Sequence, residues 1–123
     1  MSEVVVSIRG LAVSGRHGVH DAERTGGQRF VVDIDIVLRD DRATHTDDLR
    51  HTVDYAVVAD AVAAIVAGEP VTLLERLCRR VADHVLRDPV VRAVTVTVAK
   101  PDVALPHSLD GVAVTLRVEH DPG

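Results

Sequence analysis

Of the 14 cationic side chains in the 123 residues, 13 are arginine and only one, Lys100, is lysine. The phenyl-type rings are likewise a pair of singletons, Phe30 and Tyr55. Arginine stays protonated, whereas an ammonium releases its proton when desolvated or crowded by positive charge, so Lys100 can serve as a base where arginine cannot. The phenol of Tyr55 can also give and retake a proton. Ordinary duty is the competing account of each: a solvated lysine at a strand end and a half-buried packing tyrosine. The remaining chemistry-bearing types are less pointed. Cys78 falls in an apolar helical stripe with no identifiable histidine partner, as a packing thiol does. His17 and His20 are three residues apart, which gathers two metal ligands only if their loop is locally helical, and no third ligand follows by spacing, so no metal site is expected.

Glu75 admits two readings. Thr72-Leu73-Leu74-Glu75 ahead of an apolar run is a capping box, with the threonine hydroxyl and the glutamate carboxylate satisfying orphan amides at a helix start. The same carboxylate, kept ionised by the positive end of the helix dipole, can instead accept two hydrogen bonds from an amidine-like ligand edge. The two roles compete for the same oxygens, and spacing does not choose between them.

The elements that must position these groups are legible from periodicity. Residues 4–13 are rich in β-branched types and read as a first strand. The polar stretch from Ser14 to Gly27 reads as a long, candidate functional loop. Gln28 to Arg39 alternates, with Phe30, Val32, Ile34, Ile36 and Leu38 on one face, and is a half-buried second strand. Asp40 to Thr52 is polar and reads as irregular. Asp54 caps a helix from Tyr55 to Ala67, with Val58, Val62, Ile65 and Val66 inward and Gly68 as its stop. A second helix carries Leu73, Leu74, Leu77, Cys78, Val81 and Val85 on one side and ends at Asp88-Pro89. Arg92 to Lys100 is a third strand whose alternation puts Lys100 on the valine side, where partial burial would depress its pKa. Val112 to Val118 is the fourth. The order ββααββ implies an α+β domain, an antiparallel four-stranded sheet with two helices on one face. The other face, with Asp33, Asp35, Thr95, Thr97, Thr115 and Arg117, would be uncovered in a monomer.

Length and charge limit the function classes. Residues 1–120 suffice for a single domain with one core, and 121–123 read as a short tail. A formal net charge of −5, scarce aromatics and no large Lys/Arg cluster argue against nucleic acid as a partner. No apolar run approaches the roughly 20 residues that span a bilayer, so no membrane partner is expected. No secretory leader is visible and the lone cysteine cannot form an intramolecular disulfide, which points to the cytoplasm. Serine-hydrolase, P-loop, dinucleotide-binding and zinc-ribbon motifs do not occur.

Taken in order, His17-Gly18-Val19, Glu23, Gly27-Gln28, Asp33, Thr46-Asp47-Asp48-Leu49, Thr52-Val53-Asp54-Tyr55, Leu73-Leu74-Glu75 and Lys100-Pro101 followed by Pro106 resemble the dihydroneopterin aldolases of folate biosynthesis, particularly the actinobacterial members. Each piece alone is weak; their order and spacing together are specific and span nearly the whole chain. The resemblance implies a tunnelling fold (T-fold) whose sheets join into an oligomeric barrel, a homo-octamer of two stacked tetrameric rings or else a tetramer, with sites formed between subunits. It implies retro-aldol cleavage of a small-molecule pterin, 7,8-dihydroneopterin, to 6-hydroxymethyl-7,8-dihydropterin and glycolaldehyde. No metal, Schiff base or cofactor is implied, because the imine of the dihydropterin ring is conjugated to the breaking bond and accepts its electrons. By position, Lys100 becomes the base, acting through water on the side-chain hydroxyl, and Tyr55 reprotonates the enol-like intermediate. Glu75 grips the amino and ring N–H edge, backbone groups at Val53 and Leu74 add ring contacts, and Glu23 holds the hydroxyl tail or a water. Arg16, where many members carry an aromatic, and the stretch 101–106 depart from the usual pattern. Epimerisation to 7,8-dihydromonapterin as a side activity, a dihydroneopterin (triphosphate) epimerase, an oxygenase side reaction and a non-catalytic pterin- or purine-binding T-fold module remain open alternatives. A zinc-dependent T-fold relative would use a His-x-His pair, which is absent.

Overall fold

The computed structural model describes residues 2–120; the tail expected at 121–123 lies outside the described residues. Four antiparallel strands stand in chain order, β1 (Val5–Gly15), β2 (Gln28–Leu38), β3 (Val91–Lys100) and β4 (Val112–Glu119). Between β1 and β2 lies a short helix, α1 (Asp21–Gly26). Between β2 and β3 come α2 (Ala43–Thr46), a 3-10 turn (Leu49–His51), α3 (Tyr55–Ala67) and α4 (Leu74–Val85). The ββααββ frame is therefore as expected, with three small elements inside segments expected to be irregular. Among the described residues no helix is long and apolar enough to cross a membrane.

The alternation of β2 decides which sheet face is covered. Phe30, Val32, Ile34 and Ile36 have no exposed surface and Leu38 almost none, while their neighbours along the strand are only half-buried. Val94, Val96 and Val98 of β3 register against Ile36, Ile34 and Val32 and are equally buried. α3 covers this face over β1, and α4 covers it over β3 and β4. From α3, Val62 and Val66 are fully buried; from α4, Leu77, Cys78, Val81 and Ala82 are. Leu73 does not join that stripe, being half exposed and extended just ahead of the helix. Burying side chains of this size supplies about 1.5–3 kcal/mol each, the main force holding helices to sheet.

Among the described residues no helix lies on the opposite face. Asp33, Thr97 and Thr115 form one cross-strand row and Asp35, Thr95 and Arg117 the next, as the alternation requires. Polar contacts tie neighbouring strands together on this face, among them Thr97 Oγ1 to Thr115 Oγ1 at 2.8 Å and Arg9 to Asp35 at 2.8 Å. A bulge interrupts β1 between Ile8 and Leu11, with Gly10 at φ 68°. Its amide, pulled off the ladder, donates instead to Asp33 Oδ1 at 2.7 Å.

Local signals set the helix limits unevenly. Asp54 caps α3 as its position implies, its Oδ1 accepting from Ala56 N at 3.1 Å and Val57 N at 3.3 Å. Of the two readings left open for Glu75, the capping box is not formed: Leu73, with φ −114° and ψ 140°, is the N-cap residue of α4 and makes no side-chain cap. Thr72 stands one residue too early, because α4 begins where Leu74 turns into the core.

Candidate active site

Lys100 ends β3 on the same inward row as Val94, Val96 and Val98, and its side chain is only 12% exposed. There it meets a carboxylate from the other side of the sheet end. Lys100 Nζ donates to Glu23 Oε2 at 2.6 Å, and the Glu23 side chain is itself only 21% exposed. Gln28, the first residue of β2, donates from Nε2 to the same oxygen at 2.9 Å, and His20 N donates to Glu23 Oε1 at 3.3 Å. These contacts to the ionised form, the one from Lys100 foremost, hold the Glu23 carboxyl far below its usual range, at about 2. Gln28 and Glu23 were placed by the sequence, but that Gln28 clamps Glu23 was not; only closure of the loop between β1 and β2 brings them together.

Glycine permits that closure. Gly18 has φ 154°, and a Cβ there would lie 2.5 Å from Glu23 Cδ. Folding back of this loop leaves a cleft of about 630 Å³ bordered by Val19, Glu23, Gln28, Lys100, Leu105 and Val112. Across it, Gly111 (φ 137°) brings the base of the segment after β3 against the Lys100 carbonyl, 2.7 Å from where a Cβ would stand.

His17 spends both ring nitrogens inside the fold. Its ring is completely buried, edge-on to Phe30 with centroids 5.2 Å apart. Nδ1 accepts from Val71 N at 3.1 Å, so the ring proton sits on Nε2, which donates to Val66 O at 2.6 Å. Both nitrogens are thus consumed by backbone in a neutral ring, and burial lowers its pKa accordingly. Among the described residues no cluster of metal-ligating side chains forms. Cys78 is also spoken for: buried beneath β3 and β4, it is pushed up to about 11 by desolvation.

The other expected residues divide between the two ends of the folded protomer. The start of α4 lies at the Lys100 end, since Cys78 Sγ contacts Val114 O, and Val114 pairs with Val98, one strand repeat from Lys100. Glu75 is one helical turn ahead of Cys78 in that direction, exposed and without a side-chain hydrogen-bond partner among the described residues, while Leu74 beside it is nearly buried. The carboxylate is thus free of the capping duty that competes for its oxygens. Tyr55 and Val53 are elsewhere. Val66, near the end of α3, touches His17 beside the cleft, and Tyr55 begins the same helix about 16 Å away along its axis. Tyr55 is 68% exposed there, and Val53 is buried just ahead of it. One protomer therefore brings together Lys100, Glu23, Leu74 and Glu75 at one end and holds Tyr55 and Val53 at the other.

A family model described as dihydroneopterin aldolase matches residues 6–117. The dihydroneopterin aldolase of Streptomyces coelicolor is 45% identical over 111 residues, covering 90% of this chain and 93% of that protein. Among solved structures, Escherichia coli dihydroneopterin aldolase in complex with neopterin superposes with a TM-score of 0.83 at 29% identity, covering 94% of this chain and 98% of that one. Dihydroneopterin aldolase of Burkholderia thailandensis bound to guanine gives 0.76 at 31% identity, covering 97% and 93%. With its fold, its lysine-centred cleft and these relatives in agreement, the chain belongs to the dihydroneopterin aldolase family and is an aldehyde-lyase of that family.

Proposed function

We propose that the cleavage of 7,8-dihydroneopterin takes place in a site shared by two protomers, with Lys100, Glu23, Leu74 and Glu75 from one and Tyr55 and Val53 from its neighbour. The observation that carries this reading is the Lys100–Glu23 pair at 2.6 Å in a half-buried cleft. It puts the one lysine beside a carboxylate already held ionised, where a hydroxylated tail can exchange hydrogen bonds with both.

Glu75 accepts the amino and ring N–H edge of the pterin as a bidentate pair, and the free amides that begin α4 at Leu74 and Glu75 face the adjoining carbonyl. Guanine and neopterin, bound in the two related structures, carry that same amino-amide edge, which supports this role. Lys100, having released its ammonium proton to solvent, takes through water the proton from the tail's second hydroxyl. The carbon–carbon bond beside it breaks, glycolaldehyde leaves, and the bonding electrons pass into the ring imine to give an enol-like intermediate. Tyr55 delivers a proton to the exocyclic carbon, giving 6-hydroxymethyl-7,8-dihydropterin, and recovers one from solvent. Electrons and protons balance without an external oxidant, metal or Schiff base.

The oligomer follows from the same separation. Exposed apolar side chains occur at both ends of the protomer: Leu49, Tyr55 and Val57 at one, Val19, Leu105 and Val112 at the other. Seating one end on the other is a head-to-tail contact, which closes into a ring when the rotation permits. The outer strands β1 and β4 can pair between neighbours in such a ring, covering edges that otherwise invite aggregation. A tetrameric ring, doubled to a homo-octamer, is the assembly proposed.

Mixing two inactive variants tests the reading. Lys100→Ala and Tyr55→Ala should each abolish cleavage of 7,8-dihydroneopterin under anaerobic conditions with chelator present. After co-refolding in equal amounts, about one site in four receives both intact residues, so activity should return to about a quarter of wild type. No recovery in properly mixed rings would refute the shared site, and unchanged turnover in Lys100→Ala would remove the base.

A further inference from the structure

We infer that His17 is a positioning residue that couples the tail-holding half of the site to the edge-gripping half, an inference resting on the roles proposed above for Glu23 and Glu75. Two short contacts converge on its ring and a third on the neighbouring residue. Nε2 holds the Val66 carbonyl in the last turns of α3, and Nδ1 holds the Val71 amide in the linker two residues ahead of Leu73. The adjoining Gly18 N returns a bond to Val71 O at 3.0 Å. Val71 is thus clasped through both its backbone groups by residues 17 and 18.

On one side of this clasp the chain runs from Val71 directly into Leu74 and Glu75. On the other, Gly18 packs against the Glu23 carboxyl so closely that no side chain fits between them. A movement of the α4 start is therefore passed through Val71 and His17 to the loop that presents Glu23 to Lys100. His17 touches none of the reacting atoms. Its buried ring could serve packing alone, and a packing role would affect only how much chain folds.

Hydrogen exchange on the assembled protein separates the two roles, with guanine as the probe. Guanine has the amino-amide edge but no hydroxylated tail, so in the proposed site it engages Glu75 without reaching Glu23. In wild type it should slow exchange at residues 71–76 and also at 16–24. In His17→Leu the protection at 16–24 should vanish, and kcat per folded chain should fall at least tenfold. His17→Asn, which keeps an acceptor for the Val71 amide, should recover part of both. Protection confined to 71–76 in wild type, or undiminished at 16–24 in His17→Leu with kcat unchanged, would overturn the coupling. If His17→Leu does not fold, the wild-type exchange pattern decides alone. Wild type that leaves guanine unbound would overturn the Glu75 role, and this inference with it, whereas intact guanine binding with uncoupled segments overturns this inference only.

Discussion

Replacing Glu23 by Gln removes the negative charge while keeping nearly the same shape, so its cost reports the contacts made to that charge by Lys100 first, then Gln28 and His20 N. Contacts in the folded chain lower the Glu23 carboxyl from 4.5 to about 2, which corresponds to about 3 kcal/mol of linked stability at neutral pH. Side chains 12% and 21% exposed still admit water, and screening brings the expected loss to about 1–2 kcal/mol. Because folding depresses this pKa, the stabilisation is complete above about pH 4.5 and fades as pH falls toward 2. Urea midpoints for wild type and Glu23→Gln, at matched protomer concentration, should therefore differ most at pH 7. Roughly 40% of the gap should be gone at pH 3.5. A gap that is the same at both pH values would show that the variant acts through packing and not through the ion pair.

Gly18→Ala would force a Cβ onto the Glu23 carboxyl. It should lower kcat/KM for dihydroneopterin at least tenfold and reduce stability by about 1–3 kcal/mol, with steady-state kinetics and thermal melts as the readouts. Turnover at the wild-type level would mean that Glu23 need not be held where it stands. Cys78, buried and raised to about 11, should resist an aromatic disulfide reagent at pH 8 until the chain is unfolded in denaturant. Rapid labelling of the native protein would contradict its place in the core.

Large elements were legible where burial imposes a period. The β2 alternation from Phe30 to Leu38 and the α3 limits at Asp54 and Gly68 read directly, since a covered face and a cap each leave a local pattern. α1 did not, because none of its residues is buried and it carries no apolar stripe to count. The α4 start was misplaced by a threonine that satisfies a motif, while tertiary demands on Val71 and Leu74 set the helix one residue later. In the site, the singular Lys100 drew notice by composition. His17 acts through a contact with Val71, 54 residues away, and Gln28 through Glu23 only once the loop between them folds back, and neither pairing leaves a spacing to recognise.

The distance along α3 also bears on the life of the chain before assembly. In a newly made protomer the proposed acid, Tyr55, begins α3 about 16 Å along the helix axis from Val66, the residue His17 holds at the other end, where Lys100 stands. With the site shared as proposed, chemistry would switch on with ring closure, and dilution below the ring's dissociation constant would silence it without unfolding anything. Misassembled or orphan copies would then be inert, and specific activity would gauge correct assembly.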